Sequence, residues 1–236
     1  MQETCFVMAS YLIIGGSSGI GRALVDELLS DNHSVAVWAR EQRDLPPSVA
    51  FTSYDVIDET DPPKEAIPGT LDGFVYCPGS IDLKSFRSLK AAAFREAFEI
   101  NVVGAVRCLH AVERTLKKSD IASIVLFSTV AVQRGLPFHA GIASAKGAVE
   151  GLVRSLAAEY APTIRVNAIA PSLTDTPLAE KLLTTEDKRQ ASADRHPLKR
   201  IGTAAEIAAM TSFLLSEKAA FVTGQVIGMD GGLSAV

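Results

Sequence analysis

The sequence predicts an α/β fold: a single doubly wound parallel sheet with helices on both faces. Three observations predict it. Short apolar runs alternate with segments of helical period from one end of the 236 residues to the other. Several of these runs are continuously apolar instead of alternating, as expected for strands covered on both faces. The first run leads directly into a glycine-rich turn and then an amphipathic helix.

Taken in order, strands are expected at "SYLII" (10–14), "SVAVWA" (34–39), "VAFTSY" (49–54), "DGFVYC" (72–77), "SIVLFS" (123–128), "IRVNAIA" (164–170) and "QVIGMD" (225–230). Helices are expected over 19–30, 88–118, 142–160 and 204–216. The last opens on a capping box from Thr203 to Glu206. The stretch 41–70 is rich in proline and acid and leaves little room for a full helix. The polar stretch 175–199 interrupts the rhythm just after a strand end. It reads either as a lid or as an ordinary surface helix pair. With no repeat, low-complexity tract or linker, residues 1–236 form one expected domain.

Composition narrows the function classes. Hydrophobic residues make up 47% and charged ones 21%, the balance of an ordinary globular protein. The net charge is −4 with no basic block, which argues against nucleic acid or an anionic membrane as main partner. Cys5, Cys77 and Cys108 are far apart and lack CxxC spacing, so neither a disulfide framework nor a metal site is expected. The N-terminal "MQETCFVMASYLII" is short and carries Glu3 where a signal peptide would carry a base. No run approaches the ~18 apolar residues of a membrane span, and a cytoplasmic location is expected.

In "LIIGGSSGIGRALVDELL" (12–29), Gly15 and Gly16 allow a tight turn, and Gly19 and Gly21 allow close approach to a pyrophosphate. Ser17, Ser18 and Ile20 complete the turn, whose N–H groups and helix N-terminus would face the phosphates. The spacing Gly-x-x-x-Gly-x-Gly differs from GxGxxG, so position after the first strand carries the reading. Such folds often place an acid at the end of the second strand to hold the ribose 2′-hydroxyl. Here Ala39 and Arg40 stand there. Arginine suits a 2′-phosphate, favouring NADP(H) over NAD(H); a solvated surface arginine is the other reading.

One lysine stands out. Ile142, Lys146, Val149, Val153, Leu156 and Tyr160 share an apolar helical face. A buried ammonium costs several kcal/mol unless compensated, so Lys146 either meets a ligand or snorkels to solvent.

These motifs together resemble the short-chain dehydrogenase/reductase family of NAD(P)-dependent oxidoreductases, over nearly the whole chain. "IGGSSGIG" is similar to the family's TGxxxGIG, with Ile14 for threonine. Asp55-Val56 matches its adenine-contacting Asp-Val, and "YCPG" falls on its NNAG, which places Cys77, Pro78 and Gly79 against the cofactor. Asn101 in "NVVG" matches the helical asparagine. "IRVNAIAPS" resembles the stretch flanking the nicotinamide, with Ser172 for glycine, and implies Pro171, Thr174 and Thr176 as cofactor contacts. "GQVIGMDGG" is similar to the family's ending. The resemblance also implies a homodimer or homotetramer through the 88–118 and 142–160 helices.

Of the family's catalytic tetrad, Asn101, a hydroxyl at Thr129 (the preceding Ser128 being the less favoured match) and Lys146 carry over. Lys146 would hydrogen-bond the nicotinamide ribose, as well as completing the tetrad. The tyrosine position is Ile142, so the usual proton donor is missing. Losing one general acid typically costs ~10²–10⁴-fold in rate. His139, on the loop entering that helix, is a candidate substitute, or an ordinary loop histidine. The leading expectation is hydride transfer between NADP(H) and a small, apolar carbonyl or alcohol. The alternative is a dinucleotide-binding protein with little turnover, acting as partner subunit or sensor. A methyltransferase fits the glycine turn but not Asn101, Lys146 or the C-terminal strand.

Overall fold

The computed structural model describes residues 8–58, 60–120 and 122–236. Cys5 and the N-terminal residues through 7 lie outside the described residues. The strands are β1 (Ser10–Ile14), β2 (Ser34–Ala39), β3 (Ala50–Ser53), β4 (Gly73–Tyr76), β5 (Ser123–Phe127), β6 (Arg165–Pro171), β7 (Thr174–Asp175), β8 (Gly202–Thr203) and β9 (Val226–Met229). The helices are α1 (Gly19–Ser30), α2 (Ala91–Phe98), α3 (Gly104–Leu116), α4 (Val130–Arg134), α5 (Ala140–Tyr160), α6 (Glu186–Asp194) and α7 (Ala204–Leu215).

Seven strands form one parallel sheet in the order β3-β2-β1-β4-β5-β6-β9. The chain reverses its direction of travel between β1 and β4, and ligands of such sheets bind in the crevice at that reversal. The alternation of side chains explains why the strands read as continuous apolar runs. Leu12, Ile14, Phe74 and Ile124 face one core with Val112 and Leu116 of α3 and Val149 and Val153 of α5. Tyr11, Ile13, Val75 and Val125 face the other with Leu24 and Val25 of α1 and Ile207 of α7. Each of the fully buried leucines and isoleucines contributes roughly 1.5–3 kcal/mol.

The first two strands and α1 have the expected bounds, and the capping box of Thr203 and Glu206 opens α7. Between β3 and β4, the described residues of the 41–70 stretch hold only a three-residue 3-10 turn, Lys64–Ala66. The single helix expected over 88–118 is instead a 3-10 turn at Phe86–Ser88, α2, a π-helical segment Glu99–Val103, and α3. A π turn adds a residue to the helical circuit and rotates the side chains that follow it. Here it buries Asn101. The polar 175–199 stretch forms a 3-10 turn, Pro177–Leu182, and α6. The parallel pairing of Thr174 with Gly202 and of Asp175 with Thr203 closes the base of this excursion. No helix among the described residues is long and apolar enough to cross a membrane.

Candidate active site

The C-terminal ends of β4, β5 and β6 open onto a cavity of about 710 Å³. Ile20 enters from the glycine turn, Cys77 and Gly79 from the end of β4, and Thr129 from the end of β5. Ile142 and Lys146 come from α5, Pro171 and Ser172 from the end of β6, Thr174 from β7, and Leu178, Leu182 and His196 from the excursion. The 175–199 stretch is therefore a wall of this cavity.

The glycine turn is built as the sequence suggests, with two changes of reason. Gly15 (φ +76) and Gly19 (φ +55) occupy the left-handed region that side chains disfavour. Gly16 and Gly21 are glycines for packing. A Cβ on Gly16 would lie 2.7 Å from Val37, and one on Gly21 would lie 2.4 Å from the Gly15 carbonyl oxygen. At Gly21 the turn's own backbone already leaves no room for a side chain. Ser18 precedes α1 without a side-chain cap, so its hydroxyl does not occupy the first-turn N–H groups, the usual seat of a phosphate. Thr176 folds over the turn: a Cβ on Gly19 would lie 3.5 Å from its side chain. Thr174 donates to the Ser172 carbonyl oxygen at 3.1 Å, which fixes the chain between them.

Asp55 and Val56 follow β3. The Asp55 carboxylate accepts from Ile57 N–H at 3.2 Å. Arg107, which sequence reasoning overlooked, donates to the Val56 and Asp58 carbonyl oxygens at 2.7 Å each and to Glu99 at 2.6 Å. It ties the Asp55-Val56 loop to the π segment. Arg40 lies exposed just past β2, and its carbonyl oxygen accepts from Ser53 at 3.4 Å.

Around Gly79 the polar groups converge. A Cβ there would lie 3.4 Å from Asn101 Oδ1 and 3.7 Å from Lys146 Nζ, so a side chain would fill the space between them. Pro78 packs against the glycine turn, 3.2 Å from where a Gly15 Cβ would stand. Asn101 Nδ2 donates to the Ala97 carbonyl oxygen at 2.8 Å, whereas its Oδ1 is buried without a partner. Lys146 is 7% exposed, and no carboxylate pairs with it among the described residues. Burial pulls its ammonium down to about 8, with Cys77 acting in the opposite sense. Burial likewise pushes the Cys77 thiol up to about 12, which makes it a neutral wall and not a nucleophile.

The two hydroxyls after β5 are sorted by their partners. Ser128 donates to Glu150 at 2.7 Å, and both are buried. Thr129 caps α4, its Oγ1 accepting from Ala131 N–H at 3.3 Å, and lines the cavity with its O–H proton uncommitted. No tyrosine lines the cavity among the described residues. Tyr76 donates to the Ile100 carbonyl oxygen at 2.5 Å, and Tyr160 sits at the far end of α5 beneath Lys117. His139 is at the rim, its Nδ1 2.6 Å from the Pro137 carbonyl oxygen. Arg134, His139, Lys146, Arg195 and His196 line the cavity, but no carboxylate does among the described residues.

This arrangement is that of a dinucleotide-binding oxidoreductase domain. A glycine turn sits at the reversal point of a parallel sheet, beside a cavity lined by a buried lysine and by Gly79, next to which lies an unsatisfied asparagine oxygen. A family model described as enoyl-(acyl carrier protein) reductase matches residues 15–234. The chain belongs to the short-chain dehydrogenase/reductase family. The 3-oxoacyl-(acyl-carrier-protein) reductase MabA of Mycobacterium tuberculosis is 30% identical over 235 residues, covering 97% of this chain and 94% of that protein. Levodione reductase of Leifsonia aquatica is 33% identical over 257 residues, covering 98% and 96%. Among solved structures, ligand-free aldohexose dehydrogenase of Thermoplasma acidophilum superposes with a TM-score of 0.90 at 27% identity, covering 98% of this chain and 96% of that one. ElxO with NADP bound gives 0.87 at 26% identity, covering 98% and 100%.

Proposed function

We propose that the protein transfers hydride between NADP(H) and a small, apolar carbonyl or alcohol. The observation that carries this reading is the convergence at Gly79 of Asn101 Oδ1, buried without a partner, and the Nζ of the buried Lys146, which no carboxylate pairs among the described residues. Burying either one unpaired costs a few kcal/mol, and ribose hydroxyls would satisfy both.

The residues present fit such a cofactor. Gly15 to Gly21, with Ser17, Ser18 and Ile20, would hold the pyrophosphate on the N-terminus of α1. Arg40 would pair with the 2′-phosphate, Asp55 and Val56 would border the adenine, and Pro171, Thr174 and Thr176 would position the nicotinamide end. Cys77, Pro78, Gly79, Asn101 and Lys146 would enclose its ribose. The nicotinamide supplies or accepts the hydride. Thr129 donates its free O–H to the substrate oxygen and stabilises the charge developing there. Ile142, Leu178 and Leu182 keep the reacting centre dry and select an apolar substrate body.

Cofactor choice is the first test. NADPH is expected to bind more tightly than NADH, because a charge-assisted contact from Arg40 to phosphate contributes roughly 1.5–3 kcal/mol. Arg40→Ala should bring the two affinities together. Fluorescence titration of both nucleotides measures this. Equal affinities in the unmutated protein would remove the assignment to NADP(H).

A further inference from the structure

Ser172 and His196 form a hydrogen-bonded pair in the wall of the same cavity, and none of the roles above uses them. Ser172 directly follows β6, where the family's pattern has a glycine. His196 lies 24 residues further on, just past α6. Only 2% of His196 is exposed, whereas Ser172 is half-buried, and both line the cavity.

The partners fix the tautomer. His196 Nδ1 is 2.8 Å from the Ser192 carbonyl oxygen, which can only accept, so Nδ1 carries a proton. In the neutral ring Nε2 is then the acceptor, and Ser172 Oγ, 2.9 Å away, donates to it. The loop after β9 closes the back of the ring: a Cβ on Gly231 would lie 3.6 Å from His196 Cδ2, and the Gly231 carbonyl oxygen accepts from Leu198 N–H at 3.2 Å. A hydroxyl bonded to a base, the base oriented by a third group, is the arrangement that lets a serine exchange protons near neutral pH.

The other candidates for this work lack that partner. Among the described residues, Thr129 Oγ1 is bonded to a backbone N–H and to no base. The His139 ring is bonded, among the described residues, only to the Pro137 carbonyl oxygen.

We propose that Ser172 and His196 are the acid–base pair of this site, with Ser172 as the catalytic hydroxyl and His196 as the group that loads and unloads it. The inference rests on the oxidoreductase reading above. In alcohol oxidation, the substrate O–H bond breaks and its proton passes to Ser172 Oγ. The Ser172 proton passes to His196 Nε2, and the hydride leaves the carbinol carbon for the oxidised nicotinamide. The products are the carbonyl compound, the reduced cofactor and an imidazolium protonated on both nitrogens, which then returns the Nε2 proton to solvent through the Ser172 hydroxyl. Carbonyl reduction runs the same steps backwards, beginning from the imidazolium.

His196→Gln and Ser172→Ala separate this role from a merely structural pin between the excursion and β6. Both variants are expected to stay folded and keep their NADPH affinity but to turn over ~10²-fold more slowly or worse. The double variant should lose no more than either single one, and added imidazole should restore part of the activity of His196→Ala. The ring itself gives a readout independent of turnover. Nitrogen-15 spectra of the cofactor-free protein should show Nδ1 protonated and Nε2 accepting a hydrogen bond, a signature lost in Ser172→Ala. Full turnover by folded His196→Gln, or a ring protonated at Nε2 alone, would overturn the pair while leaving the oxidoreductase reading intact. An unmutated protein that binds NADPH and acts on no carbonyl or alcohol would overturn both.

Discussion

Lys146→Met is expected to stabilise the cofactor-free protein at pH 7 and to weaken NADPH binding by ~10- to 100-fold. The two effects share one cause. Lys146 sits on the apolar face of α5 with Ile142 and Val149, where burial pulls its ammonium from the ordinary 10.5 down to about 8. At pH 7 the group is charged in both the folded and unfolded chains, so the folded protein carries the whole cost of burying it, up to about 3 kcal/mol. Between about pH 8 and 10.5 the folded chain releases the proton while the unfolded chain keeps it. The unfolded state then binds more protons, so stability rises with pH across this window. Above it the cost is gone. Methionine fills a similar volume without the charge. The variant's advantage should therefore be largest at pH 7 and should shrink towards pH 10, as urea unfolding of both proteins at the two pH values would show. NADPH titration completes the test, because the same ammonium is the donor assigned to the ribose. Equal stability at pH 7 together with undiminished NADPH affinity would contradict both halves.

Ile142→Tyr is expected to raise carbonyl reduction ~10-fold or more in a Ser172→Ala background, where the assigned donor has been removed. Ile142 is 8% exposed, lines the cavity and lies one helical turn from Lys146 on the same face of α5. A phenol there would extend into the cavity, and the neighbouring ammonium would lower its pKa towards neutrality. In the unmutated background the added ring competes with a working donor and the gain should be smaller. Steady-state rates of the four proteins (unmutated, each single variant and the double) decide this. No gain in a folded, NADPH-binding double variant would show that the site lacks more than its acid.

The fold was legible where burial imposes a simple period. Leu12 and Ile14 face one core and Ile13 the other, so the first strand shows as an unbroken apolar run and its limits can be read to the residue. Lys146 was legible for the same reason, as a charge on an apolar stripe. The π segment was not, because one extra residue in a helical circuit leaves no period of its own, and a single helix over 88–118 was the natural reading. The five residues of α4 and the two-residue strands β7 and β8 are likewise too short to carry a period. Gly16 and Gly21 were legible as glycines of a turn, but the contacts that require them, with Val37 and the Gly15 carbonyl oxygen, belong to the folded chain. Ser172 and His196 were invisible as a pair, since they meet across 24 residues of polar, irregular sequence. The serine in a glycine position and a histidine within "DRHPLK" were the only signals.

The central claim is that this cavity moves hydride, and isotope transfer tests it most directly. The protein would be incubated with NADPH deuterated at the transferable position of the nicotinamide, together with small apolar ketones and aldehydes. The expected result is one deuterium on the carbinol carbon of the product, matched by an equal amount of oxidised cofactor. NADPH bound at the site with no deuterium in any alcohol product would contradict the account and leave a dinucleotide-binding protein without this chemistry.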